Sequence, residues 1–165
     1  MITWAGRVWR HVPAGGFPLN FAFIVKARGR WNRAGRYGCL YTSTTREGAM
    51  AEYRKLVAAW APGLRLAPRE LVSIDVHRVE PVLDLTDGAE RKRFRVRLDD
   101  LTRDTDAAIE LCRTLSDAAR RAGAVGLLAP SAALAGAINL MIYQDGLAAG
   151  IDLAVGPDRE PISPA

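Results

Sequence analysis

The pattern of apolar and polar residues predicts at least five strands and two to three helices along the chain. The first strand covers residues 3–12, where apolar and basic side chains mix, and the second covers residues 37–43 (YGCLYTS). A third strand with a period of two lies within residues 69–85. Two uncharged stretches, residues 124–130 (AVGLLAP) and residues 137–144 (AINLMIYQ), predict two buried strands.

Helical spacing of apolar residues predicts two amphipathic helices. Thr44 and Glu47 form a T-x-x-E capping box, which predicts a helix that runs to about Trp60. The second helix covers residues 106–122 and ends at Gly123 as its C-terminal cap. The apolar stripe of the first helix consists of Ala49, Tyr53, Leu56, Val57 and Trp60.

The predicted strands and helices do not alternate regularly, which favours an α+β fold over a doubly wound α/β fold. The length fits one domain over residues 1–165, in which residues 156–165 are polar and proline-rich and predict a flexible tail. Residues 122–144 carry no charge, but their glycines and the Pro130-Ser131 break favour two buried strands over a membrane-spanning helix.

The basic charge suggests anionic partners, and the two cysteines suggest a reducing compartment. The net formal charge is +5 and the basic residues are mostly arginines, whose guanidinium groups bind oxyanions, so phosphate, carboxylate, nucleotide or acidic protein partners all fit. Cys39 and Cys112 lie far apart and indicate core residues of a reducing, cytoplasmic compartment. His11 and His77 have no metal-like spacing, so no metal site is predicted. The N-terminus lacks the apolar run of a signal peptide.

The stretch ARGRWNRAGRYGCLYTST (27–44) combines four arginines with glycines and aromatic residues. Arg30 lies between Gly29 and Trp31, where a guanidinium can hold phosphates while an aromatic ring stacks on a base. A plain surface arginine is the alternative. Arg10 lies inside a mainly apolar strand and must be paired or functional, because an unpaired buried charge is costly.

Four further polar residues are candidates for a site. Glu52 lies at the edge of the apolar stripe and could stabilise a sugar ring that becomes an oxocarbenium ion, although periodicity alone favours a solvated glutamate. Ser131 follows a buried strand, where ligands often bind, but lacks the G-x-S-x-G elbow of a hydrolase nucleophile. Asn139 interrupts an apolar strand and could bond the turn near Ser131, or is a strand-edge asparagine. Tyr41 is either half-buried in the sheet or part of a pocket.

Taken together, these residues resemble the RES domain family, which is named for an arginine, a glutamate and a serine. The resemblance covers nearly the whole chain and places the three residues at Arg30, Glu52 and Ser131. The stretches that carry it are GRWNRAG (29–35), LYTS (40–43), AMAE (49–52) and GLLAPSAAL with NLMIY (126–143).

The resemblance implies that the ligand is NAD+ as a substrate, with no bound cofactor. Arg10 and Arg30 would hold its pyrophosphate or nicotinamide ribose by charge-assisted hydrogen bonds, and Tyr41 would line the nicotinamide pocket. Position 11 often holds an aromatic residue in the family and is a histidine here. The implied contacts to NAD+ are completed by His11, Trp31 and Asn139.

The implied catalytic residues are Arg30, Glu52 and Ser131. Glu52 would favour the oxocarbenium-like transition state, and Ser131 would bond the ligand or fix Glu52. The family resembles ADP-ribosyltransferases, which implies a split mixed or antiparallel sheet flanked by helices. The reaction would break the nicotinamide–ribose bond by hydrolysis, or by phosphorolysis with inorganic phosphate as co-substrate.

The same resemblance implies a biological role and a partner. The protein would be the toxin of a RES–Xre toxin–antitoxin pair that depletes cellular NAD+. Its partner would be a helix-turn-helix antitoxin of the Xre type that blocks the cleft, with DNA contacted only through the antitoxin and no contact to a membrane. Homo- and hetero-oligomers both remain open.

Two other functions stay open from the sequence. A protein ADP-ribosyltransferase would use the same site residues. A basic nucleic-acid-binding module would use Trp31 and Tyr37 as exposed stacking platforms, but it leaves Glu52 and Ser131 unexplained.

Overall fold

The computed structural model describes residues 1–20, 25–59, 67–143 and 151–162. It contains six strands and four helices in these ranges and confirms the α+β fold with a mixed sheet. The elements are β1 (Ile2–Pro13), β2 (Cys39–Ser43), α1 (Arg46–Ala59), β3 (Arg69–Asp84), α2 (Gly88–Arg93), α3 (Leu98–Thr102), α4 (Asp106–Arg121), β4 (Gly126–Pro130), β5 (Ile138–Tyr143) and β6 (Ile151–Ile162).

Five of the strands close into a ring. β1 pairs with β2 and β3, β3 pairs with β4, and β5 joins β4 to β2. The β3–β4 pairing is parallel and the others are antiparallel. β1 and β2 meet at the single register pair Trp9–Ser43, so the two strands part beyond this pair. The ring therefore has a split between the end of β1 and the start of β2.

Residues 156–162 correct the prediction of a flexible tail over residues 156–165, because they belong to β6, and residues 163–165 lie outside the described residues. This strand pairs antiparallel with β3, as in the pairs Arg69–Ile162 and Val72–Arg159. The Ser73 hydroxyl donates to Asp158 Oδ2 at 2.9 Å and accepts from the Asp158 amide at 3.0 Å. Prolines are tolerated in β6 because it lies at the edge of the sheet, where ladder donors are not required.

Side chains alternate between the two faces of each strand, so one hydrophobic core forms on each face of the ring. The inner core contains Val8, Leu40, Ile74, Val82, Leu128, Leu140 and Ile142. The outer core lies between the strands and α4 and includes Cys39, Leu83, Cys112, Leu115, Leu127, Met141 and Tyr143. Both cysteines are buried and free, as predicted, and burial raises the pKa of each thiol.

Helix α1 packs on a third, smaller cluster that contains Ala49, Tyr53 and Leu71. Leu56 and Val57 are exposed, so the predicted apolar stripe is buried in its first half, and Trp60 lies outside the described residues. The capping residue is one position later than predicted, because the Thr45 hydroxyl accepts from the Gly48 amide at 3.1 Å.

The α4 helix agrees with the prediction at both ends. The Thr105 side chain caps its first turn by accepting from the Ala108 amide at 3.2 Å. Gly123 follows its C-terminal end with a φ of 89°, which a glycine adopts without steric cost. The buried face of the helix packs against β4 and β5 through Leu115, Leu127 and Tyr143, and the helix supports the arginine loop described below.

Candidate functional site

The carboxylate of Glu52 is held from two other elements. The Ser131 hydroxyl, after β4, donates to Glu52 Oε1 at 2.8 Å, and the Asn139 amide, on β5, donates to the same oxygen at 2.7 Å. Glu52 is partly buried on α1. Among the described residues both of these bonds end on Oε1, which leaves Oε2 as the oxygen available to a ligand.

Ser131 is itself fixed by the turn that joins β4 to β5. Its hydroxyl accepts from the amides of Ala133 at 3.0 Å and Leu134 at 3.2 Å, and its own amide donates to the Ala137 carbonyl at 2.9 Å. A hydroxyl that accepts two amide hydrogens has its own hydrogen directed elsewhere, here to Glu52. The turn thus holds the donor that orients the carboxylate.

Tyr41 organises the arginine loop, residues 27–36. Its hydroxyl accepts from the Trp31 amide at 2.8 Å and donates to Asn32 Oδ1 at 2.9 Å. A Cβ on Gly29 would lie 2.2 Å from this hydroxyl, so the position has no room for a side chain. Burial raises the pKa of Tyr41 well above its ordinary value, which keeps the hydroxyl protonated as a donor. Gly29 therefore allows close approach to Tyr41.

Helix α4 anchors the same loop by charged side chains. Arg113 is buried and donates from Nε and Nη2 to the Gly29 carbonyl at 3.0 and 2.9 Å. Arg33 pairs with Glu110 and, at 3.2 Å, with Asp117. These contacts hold Arg33 against α4. The loop is consequently held in place before any ligand binds.

Arg30 bonds three groups at the end of α3. Its Nη1 donates to the carbonyls of Leu101 at 3.3 Å and Arg103 at 2.9 Å, and its Nη2 pairs with Asp104. The Arg30 side chain is 14% exposed, and the bonds to Leu101, Arg103 and Asp104 use three of its five guanidinium hydrogens.

Lys55 connects Arg30 to the Ser131 turn. Its Nζ lies 2.7 Å from Asp104 Oδ1, the oxygen that Arg30 also contacts, and donates to the Ala132 carbonyl at 3.1 Å. Lys55 is one turn after Glu52 on α1. Neither Lys55 nor Asp104 could be predicted from the sequence, because a lysine and an aspartate that lie far apart in the chain form no motif.

Trp31 and Tyr37 are buried, which contradicts the predicted contact of Trp31 with NAD+ and the predicted exposure of both rings as stacking platforms. The side chains are 2% and 4% exposed and pack in the outer core. The indole of Trp31 therefore has no face open to a nucleotide, and the pair cannot serve as exposed stacking platforms. The Arg120 guanidinium covers the Tyr37 ring at 3.7 Å. The prediction that aromatic residues of this loop stack on bases is wrong.

Arg10 and His11 lie on β1 where it separates from β2. Arg10 donates from Nη1 to the Pro18 carbonyl at 3.1 Å, and its Nε is buried without a partner among the described residues. His11 accepts from Arg69 Nε at 2.8 Å on Nδ1, and its ring packs edge-on against Tyr53 with centroids 5.5 Å apart. Tyr53 directly follows Glu52, so His11 adjoins the glutamate's helix, whereas no described bond joins Arg10 to Glu52.

The environment of His11 makes stability sensitive to acid. Burial, Arg69 and Arg10 together lower the pKa of His11 to about 3, below the value of about 6.5 in an unfolded chain. Between these values the unfolded state binds the extra proton, so stability is full above pH 6.5 and falls as the pH drops. Between pH 7.5 and 5, we expect His11 to account for a loss of about 1–2 kcal/mol.

Urea unfolding of a His11→Asn variant at these two pH values checks the prediction, because the asparagine oxygen can replace Nδ1 as the acceptor for Arg69. The pH-dependent loss should shrink by the stated amount. His77→Asn, at an exposed position on β3, is the control and should retain the wild-type acid dependence. Equal acid dependence of all three proteins would contradict the assignment.

The structure therefore joins Ser131 and Asn139 to Glu52 by direct hydrogen bonds. Asn139 was predicted to bond the turn near Ser131, and among the described residues its side chain bonds Glu52 instead. Arg30 is joined to this cluster through Asp104 and Lys55. Tyr41 acts on the arginine loop. Among the described residues, no cluster of histidine, cysteine, aspartate or glutamate side chains could hold a metal ion.

Comparison with known proteins places this arrangement in a family. The family model described as "RES domain" matches residues 7–161. The chain belongs to the RES domain family. The match spans Arg10, Arg30, Glu52 and Ser131, which are the positions that the sequence indicated.

A solved structure shares the RES domain fold of this chain. A chain of the M. tuberculosis MbcT–MbcA toxin–antitoxin complex aligns with a TM-score of 0.79 and 22% identity, over 98% of this chain and 86% of that chain. Curated protein sequences include no significant match. In the described part of this RES domain no helix has the length and apolar character needed to cross a membrane.

Proposed function

We propose that this RES domain is the toxin of a toxin–antitoxin pair and cleaves the nicotinamide–ribose bond of NAD+. The observation that carries the proposal is the Glu52 carboxylate, which Ser131 and Asn139 hold through one oxygen while the other stays available. A carboxylate fixed in this way is preorganised to stabilise positive charge that develops on a bound sugar, without reorganising during the reaction.

The chemistry needs one such carboxylate. When the C–N bond to ribose breaks, the electron pair moves to the pyridinium nitrogen, so nicotinamide leaves as a neutral molecule without a general acid. Positive charge grows on the ribose, where Glu52 stabilises it. Water or phosphate then forms the new bond to the anomeric carbon and releases a proton. This accounts for a site with a single fixed carboxylate.

Arg30 supplies positive charge to the same region. Its remaining Nε and Nη2 hydrogens can donate to phosphate oxygens, while the contacts to Leu101, Arg103 and Asp104 hold the guanidinium in place. Tyr41 contributes by holding the arginine loop. Because α4 and Tyr41 order this loop in advance, little conformational entropy is lost when the substrate binds.

The proposal includes a protein partner. The structural similarity to a chain of a toxin–antitoxin complex supports an antitoxin as the partner. An Xre-type antitoxin with a helix-turn-helix domain would cover the cleft and carry the contact to DNA in the cytoplasm. Expression of the chain without the antitoxin should then arrest growth, and the Glu52→Gln variant should not.

Incubation of the purified protein with NAD+ tests the activity. We expect nicotinamide to be released, and mass spectrometry identifies the second product in buffers with and without phosphate. ADP-ribose indicates hydrolysis, and ADP-ribose 1″-phosphate, formed when phosphate is present, indicates phosphorolysis. NAD+ loss that requires an added protein would assign the site to protein ADP-ribosylation instead. Unchanged NAD+ in every mixture would refute NAD+ cleavage.

A further inference from the structure

Arg30 is anchored by a carboxylate that also opposes its charge. Its Nη2 pairs with Asp104, which is the one carboxylate bonded to Arg30 among the described residues. A guanidinium and a carboxylate in contact have no net charge, so together they attract a phosphate much less than a guanidinium alone does. If Arg30 binds phosphoryl oxygens, a further cation must therefore offset the charge of Asp104.

Lys55 provides this second cation. Its Nζ lies 2.7 Å from Asp104 Oδ1, and Arg30 Nη2 contacts the same oxygen. Two cations thus share one carboxylate oxygen, which places them beside each other. The group of Arg30, Asp104 and Lys55, called the Asp104 cluster below, consequently keeps one net positive charge.

The ammonium group of Lys55 is also held by the turn that follows β4. Its Nζ donates to the Ala132 carbonyl at 3.1 Å, next to Ser131, which donates to Glu52 on the same helix. Lys55 is the one described residue of α1 after Tyr53 whose side chain bonds another part of the chain. The Asp104 cluster is therefore fixed beside the turn that orients the Glu52 carboxylate.

The Asp104 cluster differs in charge from the other ion pairs of this structure. Asp117 also contacts two arginines, Arg33 and Arg36, but Glu110 pairs with Arg33 and makes that group neutral. The remaining ion pairs between described residues are neutral or have a surplus of negative charge. A surplus of positive charge is thus specific to the Asp104 cluster within the described part of the chain.

Burial makes this surplus effective. Exposed ion pairs contribute little because water screens both charges, and Asp104 is itself 57% exposed. Arg30, in contrast, is only 14% exposed, so its charge is screened less than that of a surface arginine. We therefore expect the loss of Lys55 to have a moderate effect on an anion bound at Arg30.

We propose that Lys55 is a positioning residue that pairs with Asp104 and thereby leaves the positive charge of Arg30 available to phosphoryl oxygens of the substrate. Asp104 fixes the guanidinium, and Lys55 offsets the charge of Asp104. The inference deepens the proposed function and rests on it for the identity of the substrate. Because the cluster acts on the bound anion, its effect should appear in substrate binding.

The experiment compares Lys55→Met, Asp104→Asn and the double variant with the wild type. Methionine removes the charge of Lys55 and keeps an unbranched apolar side chain. Asparagine keeps an oxygen that can accept from Arg30, whose bonds to two carbonyls also remain. Arg54→Met is the matched control, because Arg54 precedes Lys55 on α1, is exposed and bonds no described residue through its side chain.

Two measurements separate binding from catalysis and from folding. NAD+ kinetics give KM and kcat separately, and Tm without ligand reports folding. Inorganic pyrophosphate is the probe for the charge of the Asp104 cluster, and its affinity is obtained from the rise in Tm that it causes, which needs no turnover.

We expect Lys55→Met to raise KM for NAD+ by about threefold to tenfold and to weaken pyrophosphate binding to a similar extent. Its kcat should stay within about twofold of the wild type, because Ser131 and Asn139 still hold Glu52. Arg54→Met should match the wild type. Asp104→Asn should bind pyrophosphate more tightly than the wild type, because the cluster gains a positive charge.

The double variant distinguishes charge balance from a purely structural role. It restores one net positive charge to the Asp104 cluster, so KM and pyrophosphate affinity should return towards the wild-type values. A structural role predicts the opposite, because the double variant loses more bonds than Lys55→Met does.

The proposal fails if pyrophosphate does not raise the Tm of the wild type, if Lys55→Met matches Arg54→Met, or if the double variant binds no better than Lys55→Met. Should Lys55→Met not fold, Asp104→Asn decides, and pyrophosphate binding no tighter than that of the wild type overturns the proposal. Pyrophosphate binding that follows the charge of the Asp104 cluster, in a protein that leaves NAD+ intact, would refute the proposed function and support the role of Lys55. NAD+ cleavage with a KM independent of the cluster would do the reverse.

Discussion

Glu52→Gln should lower NAD+ turnover by about 10²- to 10³-fold while the protein stays folded. Glutamine keeps a carbonyl oxygen that can accept from Ser131 and Asn139, so the local hydrogen bonds survive. It removes the negative charge that stabilises the developing ribosyl cation. The loss should therefore appear in kcat, measured by nicotinamide release, with Tm close to that of the wild type.

Glu47→Gln is the matched control for this substitution. Glu47 is exposed in the first turn of the same helix and its side chain bonds no described residue, so turnover by Glu47→Gln should equal that of the wild type. Full turnover by Glu52→Gln, or an equal loss in both variants, would remove Glu52 from the catalytic role.

Tyr41→Phe should destabilise the protein by about 2–4 kcal/mol, because it leaves two buried polar groups without partners. The Trp31 amide loses its acceptor, and Asn32 Oδ1, in a residue that is nearly inaccessible to solvent, loses its donor. Urea unfolding measures the change in the free energy of unfolding. Activity should fall as well, since Arg30 is carried by the loop that these bonds hold.

Tyr53→Phe tests whether the effect is specific to Tyr41. Tyr53 is also buried, but its hydroxyl makes no hydrogen bond to a described residue, so removal of this hydroxyl should change the free energy of unfolding by less than about 0.5 kcal/mol. A loss in Tyr41→Phe no larger than the loss in Tyr53→Phe would mean that Tyr41 does not organise the arginine loop.

Periodicity predicted most of the fold correctly because strands and amphipathic helices are encoded locally. The two uncharged segments around Ser131 became β4 and β5, and α4 begins and ends within one or two residues of its prediction. The tail was mispredicted because composition alone decided it: prolines and charges are typical of loops, yet they also suit an edge strand such as β6.

Site residues could be predicted from the sequence where the residue type itself suggests a chemical role. They could not be predicted where the role depends on contacts between distant parts of the chain. Asn139 stood out because it interrupts an apolar strand, and Ser131 because it follows one. Glu52 was singled out by its chemistry and by the family resemblance, since periodicity alone favoured a solvated glutamate. Trp31 was misassigned because an aromatic residue in a basic loop can either stack on a ligand or be buried. In the structure Trp31 packs in the outer core. Arg69 and Lys55 carried no local signal, since their partners are distant in sequence.

The order of the strands in the chain determines when each residue of the proposed site is synthesised. The residues proposed for the reaction, Arg10, Arg30 and Glu52, all emerge early during synthesis. The groups that hold Glu52 arrive last, on the turn after β4 and on β5. A chain that terminates prematurely, before residue 139, therefore carries the reactive glutamate without its restraints. We therefore expect such truncated chains to be inactive if Glu52 has the proposed role.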